Sequence, residues 1–197
     1  LRKTSEKSVA VDCLNSGGIV LMPTDTIPGF HCRIDKPVAI RRIRKIKGRS
    51  DNKPFLVLAE SVAACEELVG ELNDNIRQLL SSCWPGPFTF ILQCENILDD
   101  NISSGLSTVA IRVPDNKELL DILTASNGPL VSTSANRAGD SPLSFDEAAD
   151  EFSSEIDLVF TGISIDSNTA GSAIVDLTVW PPELVREGPR ALPLLAD

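Results

Sequence analysis

The chain has 197 residues, 42% hydrophobic and 23% charged, the profile of one globular domain rather than two or a disordered chain. No apolar run approaches the roughly 18 residues of a membrane span, and five scattered cysteines (Cys13, Cys32, Cys65, Cys83, Cys94) without a Cys-x-x-Cys pair read as reduced thiols of a cytoplasmic protein. The net charge of −10 hides an asymmetry: residues 33–53 carry nine of the 18 Lys and Arg against Asp35 and Asp51, a net +7 that leaves −17 elsewhere and points to an anionic ligand.

From the N-terminus, Thr4–Ser16 predicts a helix with Val9, Ala10, Cys13 and Leu14 on one face and Gly17 as its stop. Ile19–Met22, a continuous apolar run between Gly18 and Pro23, predicts a buried strand. A basic helix follows from about Lys36 to Lys47. Ile40, Ile43 and Ile46 form its apolar stripe, while Arg41, Arg42, Arg44 and Lys45 fall off it, on a solvated face or against a ligand. Gly48 ends this helix, which leaves Lys47, Arg49 and Lys53 past the stripe as the better ligand candidates. Phe55–Leu58 predicts a second buried strand. Ser61 caps the next helix, and another covers about Asn75–Cys83 before Trp84-Pro85-Gly86-Pro87 breaks it. Strands over Phe88–Gln93 and Val109–Val113, a helix over Lys117–Ala125 and a short strand over Leu130–Ser132 come next. Ser144-Phe145-Asp146-Glu147 is a capping box, and Leu158–Phe160, Ala173–Leu177 and Glu183–Arg186 close the chain as strands. Helices and strands interleave without a composition shift or internal repeat, which predicts one α/β domain around a mixed sheet of unread pairing order.

The single histidine, His31, excludes a zinc site built on two or three histidines, and no Gly-x-Ser-x-Gly elbow accompanies it; packing or a surface role is expected for it rather than base catalysis. A P-loop and a Gly-x-Gly-x-x-Gly fingerprint are both absent, so a bound nucleotide would rest its phosphates on Lys and Arg side chains, with Lys47 a mobile point charge and Arg49 a planar fork. In open α/β sheets ligands sit beyond strand ends. Two strands here are followed by suitable segments, Pro23-Thr-Asp-Thr-Ile-Pro-Gly29 and Thr133-Ser-Ala-Asn136, whose hydroxyls and amide suit a polar ligand or the turn's own backbone.

These two segments, together with Lys47-Gly-Arg-Ser-Asp-Asn-Lys-Pro54, Trp84-Pro-Gly-Pro-Phe-Thr89, Val109-Ala-Ile-Arg-Val-Pro114, Ser172-Ala-Ile-Val-Asp176 and Arg186-Glu-Gly188, occur in an order and spacing that resembles the YrdC-like family over roughly residues 8–190. The resemblance implies a twisted, open mixed β-sheet flanked by helices with a concave central cleft, as a single domain over 1–197 without a C-terminal extension domain. The best-understood members are threonylcarbamoyl-AMP synthases, nucleotidyltransferases that turn L-threonine, bicarbonate and ATP into threonylcarbamoyl-adenylate and pyrophosphate for t6A at tRNA position 37. It further implies ATP as substrate with Mg²⁺, no protein-bound metal, and the tRNA threonylcarbamoyl-transfer machinery as partner. The family's tetrad falls on Lys47, Arg49, Ser134 and Asn136. Arg49, Lys53, Ser134 and Arg186 would hold ATP with Thr108 nearby, and Thr26, Arg112, Ser132 and Ser172 would surround the threonine. Where the family usually has Thr-Val-Tyr-Gly-Leu-Gly, this chain has Thr26-Ile-Pro-Gly-Phe-His31, and a histidine common after the Lys-Pro is here Leu58. Both departures fall on the amino-acid side. They favour the alternative, a YciO-like paralogue that binds nucleotide or RNA with another acceptor or little synthase activity. Weak RNA binding through the +7 segment would show as steep salt dependence.

Overall fold

Residues 2–48, 53–94, 98–164 and 170–193 are described by the structure, a computed structural model. Among them one mixed sheet runs in the order β1 (Arg2–Thr4), β8 (Leu158–Phe160), β2 (Val20–Met22), β3 (Gly29–Arg33), β7 (Leu130–Ser134), β4 (Leu56–Leu58), β6 (Thr108–Arg112), β5 (Phe88–Gln93), β9 (Ala173–Asp176) and β10 (Glu183–Arg186). The helices are α1 (Lys7–Asn15), α2 (Pro37–Lys47), α3 (Val62–Val69), α4 (Asp74–Cys83), α5 (Asp100–Ser103), α6 (Lys117–Ala125) and α7 (Phe145–Glu151). The architecture is the open, helix-flanked α/β sheet expected from the sequence, with β1 and β10 as its two edges.

Period-two alternation sorts the strand side chains into two unequal faces. Phe30, Cys32, Val57, Val131, Phe90, Ile111 and Val175 point one way and meet α2, α3, α4, α5 and α7 in a large continuous core. The opposite face carries Val20, Met22, Leu58, Leu130, Leu158 and Phe160, which α1 and α6 cover through Ala10, Leu14, Leu119, Ile122 and Leu123. That cover stops at the middle of the sheet. Beyond Leu58 and Leu130 the rest of this face from β7 to β9, including Ser132, Ser134, Ala110, Arg112, Thr89 and Ile91, lines a cavity and is available to a ligand.

Local chemistry explains the boundaries. Pro37 opens α2, Gly48 closes it in the left-handed region at φ 57°, and the capping box at Ser144 and Glu147 is formed in full. Three expectations are revised. The first helix begins at Lys7 rather than Thr4, because Arg2–Thr4 pairs in parallel with β8. Gly29–Arg33 is a strand that was not expected; it lacks a β-branched residue, and pairing on both sides holds it extended. Pairing with β3 also carries β7 two residues beyond Ser132, to Ser134 opposite Gly29.

Candidate active site

A cavity of about 350 Å³ lies on the open half of the second face. Ser132 and Ser134 of β7, Leu56 of β4, Ala110 and Arg112 of β6, and Thr89 and Ile91 of β5 form its floor. Ser172 and Ile174 lead in from the β9 side, Arg186 reaches over from β10, and Thr26, Gly29 and Lys53 complete the rim. Seven residues singled out in the sequence therefore meet here: Thr26, Lys53, Arg112, Ser132, Ser134, Ser172 and Arg186. Thr108 shares the outward register of Ala110 and Arg112 but lies outside the lining. Arg49 is not among the described residues. Among the described residues the lining contains three cations and no carboxylate, in a chain whose net charge is −10.

Lys47 and Asn136 stand behind Ser134 rather than in the cavity. The Lys47 ammonium, on a residue only 3% exposed, donates to the Ser134 carbonyl at 2.8 Å, to Ser134 Oγ at 3.2 Å and to Asn136 Oδ1 at 2.6 Å. Ser134 Oγ also donates to Asn136 Oδ1, and Asn136 Nδ2 donates to the Asp140 carbonyl, so the amide is oriented with its oxygen toward the lysine. The expectation of a mobile Lys47 is corrected: burial and three acceptors fix it as a preset positive charge behind the Ser134 hydroxyl. The basic helix resolves in the same way. Arg42, half-exposed, pairs with Asp157, Arg44 is buried against Phe55 and bonds backbone carbonyls, and Arg41 and Lys45 lie on an exposed face.

At the other end, Arg112 is 2% exposed and donates from Nη1 to Thr26 Oγ1 at 2.7 Å, with Asp25 Oδ1 at 3.0 Å. Its Nε and Asp25 Oδ1 make no hydrogen bond. Burial pulls the guanidinium below its ordinary value, Asp25 opposes this, and Arg186 adds to the lowering. The two arginines thus converge closely enough to repel, an arrangement that an anion between them relieves. The Thr24–Gly29 turn serves both roles open to it in the sequence: Thr24 Oγ1 binds the turn's own backbone at Thr26 and Ile27, while Thr26 faces the cavity.

Thr89 went unassigned in the sequence. Its hydroxyl lies 2.7 Å from Ser172 Oγ, and the signal for it was the alternation with Phe88 and Phe90, which turns it to the open face. Arg186 donates through Nε and Nη2 to the Ser172 carbonyl, which ties the β10 cation to the same wall. Gly188 makes this closure possible, since a Cβ there would sit 2.2 Å from Ala173 N. A second cavity of about 320 Å³ between α3 and the turn after α6 is flanked by Glu60 and Glu67 and holds none of the predicted residues.

His31 is wholly buried on β3, on the cavity side of the sheet, with Nε2 3.1 Å from Ser132 Oγ. Burial lowers its pKa from 6.5 to about 4, so it is neutral at pH 7. In the unfolded chain it binds a proton near 6.5. Its contribution to stability is therefore complete above that pH and is lost as pH falls through 6.5 towards 4, by about 3 kcal/mol at most. Urea denaturation at several pH values in that window is expected to show a steeper loss for the wild type than for His31→Gln; equal slopes would refute the assignment.

Comparison with known proteins follows the same outline. Residues 12–188 match the model of the Sua5, YciO and YrdC proteins, described as "Telomere recombination". A threonylcarbamoyl-AMP synthase of Pyrococcus abyssi is 32% identical over 191 residues, 94% of this chain and 54% of that protein. The crystal structure of P. abyssi Sua5 complexed with L-threonine superposes with a TM-score of 0.85 at 30% identity, over 95% of this chain and 56% of that one. Escherichia coli YciO has the same fold, with a TM-score of 0.80 at 24% identity over 95% of this chain and 93% of its own. The chain spans about half the length of the first curated relatives it matches.

Proposed function

Because this chain belongs to the YrdC-like family, that of the Sua5, YciO and YrdC proteins, we propose that it is an L-threonylcarbamoyladenylate synthase, condensing L-threonine, bicarbonate and ATP to threonylcarbamoyl-AMP and pyrophosphate. The observation that carries this reading is a cleft lined, among the described residues, by Lys53, Arg112, Arg186 and a row of hydroxyls without one carboxylate, in an otherwise acidic chain. Such a lining suits two anions brought together. Relatives of this name, and a related structure complexed with L-threonine, support the same choice of substrates.

The chemistry needs little acid–base machinery. The threonine amine takes up carbon dioxide from bicarbonate, a carbamate oxygen attacks the α-phosphorus, and the bond to the bridging oxygen breaks to release pyrophosphate. Charge accumulates on phosphoryl oxygens throughout, so preset cations contribute most. In this reading Arg112 takes the amino-acid carboxylate, with Thr26, Ser132 and Ser172 around the side chain. Lys53 and Arg186, joined by Arg49 and with Thr108 nearby, hold the triphosphate. Ser134, backed by Lys47 and Asn136, stands at the nucleotide end, and its hydroxyl donates to the reacting phosphate by exchanging that acceptor for Asn136 Oδ1 while Lys47 stays behind it. Among the described residues no group of three or more His, Cys, Asp or Glu could hold a metal. Mg²⁺ suits this lining as an ion carried in on the nucleotide phosphates, where it would neutralise charge. The adenylate then passes to the tRNA threonylcarbamoyl-transfer machinery in the cytoplasm; among the described residues no helix is long and apolar enough to cross a membrane.

Pyrophosphate release from ATP with Mg²⁺ and bicarbonate, with and without L-threonine and with L-serine as comparison, tests the proposal. Threonine-dependent release is the expected result. ATP binding without such release would overturn it in favour of a paralogue with another acceptor, a reading to which Leu58 is relevant: its side chain belongs to the apolar core with Leu130 and Leu119.

A further inference from the structure

Burying an imidazole is expensive unless both nitrogens are served. In His31 only Nε2 has a side-chain partner: Nδ1 is buried with nothing but the Val20 and Gly29 backbone near the ring to offset its desolvation, a cost that an apolar side chain at the same place would not incur. The apolar core lies on the same face of the sheet, with Val20 directly across the strand pair from His31, so a leucine would continue it. The fold also makes room for the ring. Gly29, two residues earlier on the same face, would bring a Cβ to 2.7 Å of the Thr133 carbonyl and 3.2 Å of His31 Cε1, so the glycine serves the strand pairing and the ring together, and no step of the chemistry above uses the imidazole.

What the ring does hold is Ser132. The two residues are register partners across β3 and β7, and Nε2 lies 3.1 Å from the serine Oγ. A serine hydroxyl has one proton and two lone pairs on a free rotor. Once one of these is engaged from the neighbouring strand, the rotor stops and the remaining capacity is left for the cavity, which Ser132 lines. Arg112 holds Thr26 Oγ1 in the same manner at 2.7 Å, so that two hydroxyls at this end are oriented by neighbouring side chains, of which Arg112 also faces the ligand and His31 does not line the cavity.

From this geometry we infer that His31 is a positioning residue for substrate selection: it fixes the Ser132 hydroxyl so that this end of the cleft reads a hydroxylated amino-acid side chain. The inference rests on the proposed function for the identity of the amino acid, but not for the coupling between His31 and the ligand.

Since His31 is the sole histidine, its ring nitrogens give an unambiguous ¹⁵N signature. In the wild-type protein, L-threonine is expected to move these resonances and ATP alone to leave them in place. Ring signals indifferent to the amino acid under saturating binding would overturn the inference, whether or not the protein turns over. In kinetics, His31→Leu is expected to raise the KM for threonine at least about five-fold and to erode the preference over serine, with the KM for ATP within about two-fold. His31→Gln, which can still bond Ser132, should restore most of this. Ser132→Ala should match His31→Leu, and the double variant should be no worse than either. A folded His31→Leu with unchanged threonine KM, or with equal changes for both substrates, would refute it. Absence of threonine-dependent turnover in the wild type would instead strike the proposed function, and the resonance experiment would still decide the coupling.

Discussion

Arg112→Ala is expected to destabilise the fold by about 3–5 kcal/mol and to raise the requirement for the amino acid far more than for ATP. The structural part follows from burial. Arg112 is 2% exposed and faces Asp25, itself almost covered, across 3.0 Å. Removing one member strands the other charge in a medium that solvates it poorly, which is why breaking a buried pair costs several kcal/mol even where the pair itself adds little. Asp25 retains only the Asp115 backbone N–H on Oδ2. The functional part follows from Thr26, which loses the guanidinium that orients its hydroxyl. A double variant, Asp25→Asn with Arg112→Ala, separates the two: denaturation should show most of the stability regained, and kinetics should show the threonine KM still raised. Equal effects of Arg112→Ala on both substrates would remove the carboxylate assignment.

Lys47→Met is expected to lower the rate of pyrophosphate release about 100-fold. Methionine keeps an unbranched stem of similar length, so packing changes little, and what disappears is the ammonium. A positive charge set behind a reacting phosphate and shielded from water is worth about 3 kcal/mol of transition-state stabilisation, which sets the size of the effect. The loss should appear chiefly in kcat, because Lys47 does not line the cavity and bears on the bound nucleotide through Ser134. The Ser134 carbonyl and Asn136 Oδ1 also lose a donor. A stability loss of about 1–3 kcal/mol should therefore accompany the rate change, visible as a lower urea midpoint. Unchanged turnover in a folded variant would exclude Lys47 from the catalytic machinery.

Most of the element order was legible because it is written in local signals. Gly17, Gly48, Ser61 and the Ser144 capping box end or begin helices through their own backbone chemistry, and the apolar stripe of α2 is visible at its period. The strand at Gly29–Arg33 was not legible, for the opposite reason. Phe30 is its one residue with a strand preference, and its hydrogen bonds come from partners on both sides, Val20–Met22 and the distant Leu130–Ser134. The cation-rich window around α2 showed that an anion was to be expected but did not say which cations would meet it. Arg42 and Arg44 turned out to serve the fold, whereas Lys53 reached the cleft.

The sequence by itself determined the fold class, the family and the list of polar residues that gather at the cleft, because motifs and periodicity are properties of neighbours along the chain. Which of those residues face a ligand and which stand behind it was decided only in three dimensions. Lys47 lies buried behind Ser134, Thr89 joins Ser172, and His31, unremarkable in one dimension, lies beside Ser132 on the neighbouring strand. Each of these pairings joins residues more than 80 positions apart, and the partner of a buried polar group is fixed by sheet register, which strand pairing sets and local sequence does not.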